Sequence, residues 1–438
     1  MIDLARILVM RLLNKASSLI LGLMIRSLML LVQLYARFAC RFRGASTTRS
    51  NEYRDFSIEG LHFREYPVDV DNFAHRVTEA GNATAAKNNT VVLMGGIPTD
   101  ASETFYWLVS KLCRLNPDLR CIIVQIPFVE SDTRLVLSET LKARYSGRLF
   151  PFNGEVDLSE ESVDPRFDHH NQAITAERIL EQLGVSQAHF VGHDRGAVVF
   201  DYLIGSNPNR ALSYSRGSQL WDHYDDAWSA LAPKLIVGPP HRQMVIAWQC
   251  QFLFFAVIRL KRPIGLLSPG FVASVAKASR GTESYDRKTH LLYKALAIPK
   301  QIQVIIGQTM MQTDSTDEIK SREPLLQSNV PIMQFQGEDE FAINAKGTLI
   351  SDQPYFGRYN LYANDVCDLY PGSVGQDPLN KAHGLIQECG SYRSLKLKQK
   401  ARLSRFCLIP NAAHFNVVEN PLACAAAIND FVLDNALN

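Results

Sequence analysis

Asp194 stands on a sharp step, "GHDRG" (192–196), inside the apolar stretch "AHFVGHDRGAVVFDYL" (188–203). A small-x-acid-x-small pattern between a strand and a helix forces its central residue into strained backbone geometry, and its glycines let the two elements approach closely. The residue presented is a carboxylate, and no G-x-S-x-G serine competes for the role anywhere in the chain. A carboxylate that attacks carbon becomes an ester of the enzyme's own side chain. Its natural targets are sp³ carbons: an epoxide carbon, a carbon bearing halogen, or the alkyl carbon of a lactone. The plain structural alternative is a helix N-cap, a position aspartate fills well.

Such an ester has to be hydrolysed, and His414 in "IPNAAHFNVVENP" is the residue type for activating water. A carboxylate should orient that histidine and stabilise its cation. "QFQGEDEF" supplies Glu338, Asp339 and Glu340 just after an apolar run, and their order alone does not choose between them. The loop "MGGIPTD" (94–100) presents backbone N–H groups, so Ile97 N–H and Arg195 N–H form a candidate oxyanion hole. No lysine follows those glycines at phosphate-loop spacing, and there is no G-x-G-x-x-G. His169 and His170 are adjacent and face different sides of a helix, so no metal site is expected.

These residues need elements to hold them. "NTVVLMGG" (89–96), "RCIIVQIPFV" (120–129) and "AHFVGH" (188–193) are unbroken apolar runs, the pattern of strands buried on both faces. Helical spacing follows in "ETFYWLVSKLCRL" (103–115), "NQAITAERILEQLGV" (171–185) and "AVVFDYLIGSNP" (197–208). The alternation predicts a mostly parallel, doubly wound α/β sheet with helices on both faces. "FSIEGLHFREYPV" reads as an alternating strand or hairpin at its start, and "RALSYSRGS", "VPIMQFQGEDEF" and "RFCLIP" as later strands. The rhythm breaks over 219–325, which is read as an inserted helical cap. The core is therefore expected over 57–218 and again over 326–438, with an irregular insertion at 342–403.

The chain has 438 residues, 46% hydrophobic and 21% charged, with a net charge of +2, so no nucleic-acid partner is expected. The basic excess lies in residues 1–43, where seven Arg and Lys residues face only Asp3. Within that segment "ASSLILGLMIRSLMLLVQLYA" (16–36) is long enough to span a bilayer but carries Arg26. It reads as a membrane anchor, spanning or interfacial, with a cleaved presequence and a helix packed on the domain as alternatives. The expected location is membrane-associated, at the endoplasmic reticulum, or else an organelle or the exterior after cleavage. The eight cysteines form no C-x-x-C motif, although Cys113 and Cys121 could pair in an oxidising compartment.

Taken together, "GGIPTDASETFYWL", "VGHDRGAVVFDY", "QFQGEDEF" and "IPNAAHFNVVENP" resemble the loops of the epoxide hydrolase and haloalkane dehalogenase group of α/β-hydrolases, over roughly 57–438. The resemblance implies the α/β-hydrolase fold with an inserted cap, Asp194 as nucleophile, His414 as base, and Glu340 before Asp339 as the acid. It implies no cofactor and a small apolar substrate, with Trp248 and Tyr293 of the cap and Arg195 lining its site. The sequence also departs from the group. Gly95 replaces the histidine of H-G-x-P, Ile97 and Arg195 stand where a dehalogenase holds its halide, and Val198 replaces the second arginine of D-R-G-A-R. Three functions therefore stay open: opening of an apolar epoxide, dehalogenation or lactone opening of a carboxylate-bearing substrate, and a non-catalytic or biosynthetic scaffold.

Overall fold

The structure, a computed structural model, describes residues 53–71, 73–85, 87–96, 101–127, 169–218, 328–337, 393–396, 404–412 and 414–436, with isolated helical positions at 27, 31, 34, 38, 287, 291 and 325. The sheet of the described residues begins with an antiparallel meander. Strand β1 (Arg54–Ile58) turns through Glu59 and Gly60, both at positive φ (50° and 85°), into β2 (Leu61–Val70). Two consecutive left-handed residues are what a tight hairpin turn demands. β3 (Phe73–Gly81) follows after a turn at Asp71 and pairs with β2. The sequence reading foresaw the first hairpin but not β3, because "FAHRVTEAG" mixes polar and apolar residues without an obvious signal.

β4 (Thr90–Met94), β5 (Arg120–Val124) and β6 (Ala188–His193) are the three unbroken apolar runs, and nearly every residue in them is buried. Helices cover both faces: α1 (Ala101–Leu115), α2 (His169–Gln182) and α3 (Arg195–Ser206). β7 (Ala211–Gly217), β8 (Ile332–Gly337) and β10 (Ser404–Ile409) extend the parallel part, and β9 (Arg393–Lys396) pairs antiparallel with β10 at the edge. β9 falls in the region expected to be irregular. The chain ends in a single turn, α4 (Asn416–Glu419), and α5 (Pro421–Ala436).

Among the described residues the ten strands run in the order β1-β2-β3-β5-β4-β6-β7-β8-β10-β9. The chain leaves β4 toward β5 and later returns on the other side of β4 as β6, so the order reverses between β4 and β6. In open α/β sheets that reversal leaves a crevice at the carboxyl ends of the two strands. One face packs Val91, Leu93, Val191, Phe335 and Ile409 against α1 and α5. The other packs Val92, Phe190, Tyr214 and Ile332 against α2 and α3.

A buried ion pair ties α3 to β7. Arg216 Nε donates to both oxygens of Asp201, at 2.9 and 3.0 Å, and its Nη2 donates at 2.8 Å. Tyr214 Oη donates to Asp201 at 2.8 Å and lies 2.7 Å from the carbonyl of Ala197. On the opposite side of the sheet the Cys113 and Cys121 thiols lie 3.6 Å apart between α1 and β5. Among the described residues no helix is long and apolar enough to cross a membrane. Leu31, Leu34 and Phe38 are helical and exposed, and most of the 16–36 segment, the 219–325 cap and the 342–403 insertion lie outside the described residues.

Candidate active site

β6 ends at His193 and α3 begins at Arg195, so Asp194 makes the whole turn. Its backbone sits at φ 52° and ψ −128°, a conformation costly for any residue with a side chain. An N-cap has extended backbone and its side chain accepts from the first helical turn. The Asp194 carboxylate makes no such bond, so the capping alternative fails on geometry. The turn is held through its main chain instead: Asp194 N–H donates to Gly217 O at 3.0 Å, and its carbonyl accepts from Ala197 N–H at 2.9 Å.

Three glycines make this turn possible. A Cβ on Gly192 would lie 2.6 Å from Ala197 Cα, and one on Gly196 would lie 2.2 Å from Met94 O. These two close approaches press α3 against the ends of β6 and β4. A Cβ on Gly96 would lie 2.4 Å from Asp194 Oδ2. The second glycine of "MGGIPTD" is therefore a gap that the nucleophile candidate fills. Met94 pairs with Gly192 across β4 and β6, which sets Gly95 and Gly96 beside the elbow.

His414 reaches the same point from the far end of the chain. β10 delivers the chain through Ile409, and the histidine sits just before α4. Its Nε2 lies 3.6 Å from Asp194 Oδ2, with the histidine side chain 4% exposed and the aspartate 17%. Burial pushes the Asp194 carboxyl up. The close approach of His414 and the positive charge of Arg195 outweigh it and hold the group below its ordinary value. The acid is thus kept ionised, the state a nucleophile needs. The Arg195 side chain, directly after it, is buried at this site.

Of the residues singled out from sequence, the structure brings Asp194, Arg195 and His414 together, with Gly96 against the carboxylate. Ile97, Glu338, Asp339, Glu340, Trp248 and Tyr293 lie outside the described residues. Sequence reasoning gave no part to His193, Ser218 and Asn416. His193 Nε2 lies 2.7 Å from the carbonyl of His414, and Asn416 Nδ2 donates to Ser218 Oγ at 2.5 Å. Nothing in the spacing pairs residues 221 positions apart. The Asp201–Arg216 pair did leave a trace: each is a lone charge in an otherwise uncharged run, "AVVFDYLI" or "ALSYSRG". Among the described residues no group of His, Cys, Asp and Glu side chains is arranged to hold a metal.

No protein-family description matches the chain, and no curated protein matches it. Solved structures do. A protein from Pseudomonas aeruginosa assigned provisionally as an epoxide hydrolase superposes at a TM-score of 0.51 with 13% identity, over 88% of this chain and 100% of its own. Cfl2 from Burkholderia cenocepacia is similar at 0.49 and 15% identity, over 87% and 99%. A loop variant of a haloalkane dehalogenase from Bradyrhizobium elkanii is similar at 0.48 and 13%, over 85% and 97%. The first establishes the architecture: the chain has the α/β-hydrolase fold.

Proposed function

We propose that this chain is a hydrolase that opens an apolar epoxide through an ester on Asp194. The observation that carries the reading is a single one: a carboxyl group on a strained strand-to-helix turn, with a histidine nitrogen 3.6 Å from its oxygen. In the first step an Asp194 oxygen forms a bond to an epoxide carbon as that carbon's ring C–O bond breaks. The released alkoxide takes a proton from an acid at the site, the role given to a cap hydroxyl such as Tyr293. In the second step His414 takes a proton from water and the hydroxide adds to the ester carbonyl. The resulting oxyanion is met by the N–H groups of Ile97 and Arg195, with Glu340 or Asp339 stabilising the imidazolium. Collapse expels the second alkoxide, which takes the proton from His414 and leaves as the diol, and the carboxylic acid formed on Asp194 gives its proton back to the hydroxyl that protonated the first alkoxide, restoring the carboxylate.

The test is a single turnover of styrene oxide in heavy-oxygen water. Hydrolysis at the ester carbonyl leaves labelled oxygen in Asp194, read by mass spectrometry of its peptide. Absence of label overturns the covalent route. Asp194→Ala should also abolish turnover, and a wild-type protein with no epoxide turnover at all returns the scaffold alternative.

A second reading is favoured by Arg195, whose buried side chain adjoins the carboxylate and whose charge helps lower it. Such a cation suits a substrate that carries its own carboxylate, opened by dehalogenation or as a lactone. Arg195→Gln should then remove turnover of acidic substrates and spare neutral ones. The 219–325 cap is proposed to close the apolar site in either case. The N-terminal segment is proposed to bind membranes, supported by exposed Leu31, Leu34 and Phe38 at helical spacing beside a strongly basic sequence. Flotation with anionic vesicles that is lost on deleting residues 1–43 is the expected result.

A further inference from the structure

We propose that His193 and the Ser218–Asn416 pair are positioning residues for His414, and that they serve the hydrolytic half of the reaction alone. The inference rests on the reading of Asp194 as an ester-forming nucleophile. His414 lies on the turn between β10 and α4, 220 residues after the carboxylate it must serve. Backbone pairing of β10 with β8 fixes the strand but not the turn beyond it. Two side-chain tethers reach it from β6 and β7, one at the carbonyl of His414 itself and one two residues beyond.

The first tether is His193. It is the last residue of β6 and the immediate neighbour of Asp194. Its Nε2 lies 2.7 Å from the main-chain carbonyl of His414. A carbonyl only accepts, so Nε2 carries the proton and donates. Burial, reinforced by the charge of His414, holds this ring neutral down to about pH 4. The ring is therefore a fixed donor at working pH, packed 5.3 Å from the His414 ring. The strand that ends in the nucleophile thereby grips the main chain of the base.

The second tether lies two residues beyond His414. Asn416 Nδ2 donates to Ser218 Oγ at 2.5 Å, and both residues are fully buried. Ser218 caps β7 at φ 48°, a left-handed conformation unusual for serine, and its N–H donates to Phe335 O of β8 at 3.1 Å. Its hydroxyl is thus held by two strands. β7 is also the strand whose Gly217 carbonyl receives the Asp194 N–H. Both tethers therefore anchor the histidine turn to the main chain that shapes the elbow, and the 3.6 Å separation is set twice over.

Alkylation of Asp194 needs the carboxylate and the substrate. Hydrolysis needs His414 aligned with both water and ester, and misplacement of such a group by about 1 Å costs about 100-fold. Loosening a tether should therefore slow ester breakdown and leave ester formation alone. The experiment follows the intact-protein mass of the full chain after mixing with excess styrene oxide, giving both rate constants. His193→Phe removes the donor and keeps an aromatic ring; His193→Gln keeps an N–H near the same place. Ser218→Ala deletes one atom of the second tether and serves where His193→Phe does not fold.

In His193→Phe and Ser218→Ala the alkyl-enzyme should accumulate, with breakdown slowed about 10- to 100-fold and formation within about 2-fold of wild type. His193→Gln should restore breakdown to within about 5-fold. Equal slowing of both steps, or breakdown at the wild-type rate in both disrupted forms, overturns the positioning role. A wild-type protein that turns over styrene oxide while no form yields adduct or label on Asp194 overturns the nucleophile reading, and this inference with it.

Discussion

Acid should unfold this protein well before its carboxylates are protonated, because three buried histidines resist charging. His75, His189 and His193 each have a pKa lowered from 6.5 to about 4, in each case chiefly by burial. For His189 the bonding agrees. Nε2 donates to Asn88 O at 2.9 Å, and in the neutral ring Nδ1 accepts from the Ser213 hydroxyl at 2.7 Å, so both ring nitrogens are satisfied without a charge. The unfolded chain takes up these protons near pH 6.5, whereas the native state waits until about 4. Between those values the unfolded state binds more protons, so stability rises with pH; above 6.5 the three rings contribute no slope. At pH 5 each ring favours unfolding by a factor of about 30, or about 2 kcal/mol, and the three together by about 6 kcal/mol. That is comparable with the whole stability of many domains. Asp194 and Glu59, whose pKa values are lowered, give a slope of the same sign but only at more acid pH. Urea denaturation followed by far-ultraviolet circular dichroism at pH 8, 7, 6 and 5 checks this. The midpoint should stay level from 8 to 7 and then fall steeply. His189→Asn should flatten the fall by about a third even if it lowers stability throughout. A midpoint unchanged between pH 7 and 5 would refute the reasoning.

Three further outcomes are expected. Arg216→Met strands the Asp201 charge in the core and should cost about 3–5 kcal/mol in urea denaturation, while Asp201→Leu combined with Arg216→Met should recover most of it. Gly96→Ala places a Cβ 2.4 Å from Asp194 Oδ2, so turnover should drop about 100-fold with an unchanged circular dichroism spectrum. Cys113 and Cys121, with sulfurs 3.6 Å apart, should exchange with oxidised glutathione to form one internal disulfide, each bond formed reducing one glutathione disulfide to two thiols. Thiol titration should then fall by two, and Cys121→Ala should prevent the loss.

The local parts of the fold were legible without coordinates. β4, β5 and β6 are runs of apolar residues because both faces of each strand are covered, and that condition writes itself into consecutive positions. The elbow was legible for a similar reason. Gly192 and Gly196 are forced by backbone approaches of 2.6 and 2.2 Å, so a steric demand fixes residue types at fixed offsets from Asp194. His414 was legible by its place after the last parallel strand. β3 was not, since buried and half-buried residues follow one another along it without strict alternation, nor was β9, which lies inside a stretch with no clear period.

Sequence by itself thus determined that strands and helices alternate, that an aspartate occupies a strained turn, and that a histidine follows late in the chain. Only the tertiary structure decided that β4 and β6 are neighbours, that Gly96 abuts the carboxylate, and that His414 comes within 3.6 Å of it. It alone joined His193 to His414, Ser218 to Asn416 and Asp201 to Arg216. The physical reason is one of range. Periodicity records which face of an element is buried. A hydrogen bond between residues 221 positions apart follows from the order in which strands pair, and that order leaves no period in the chain.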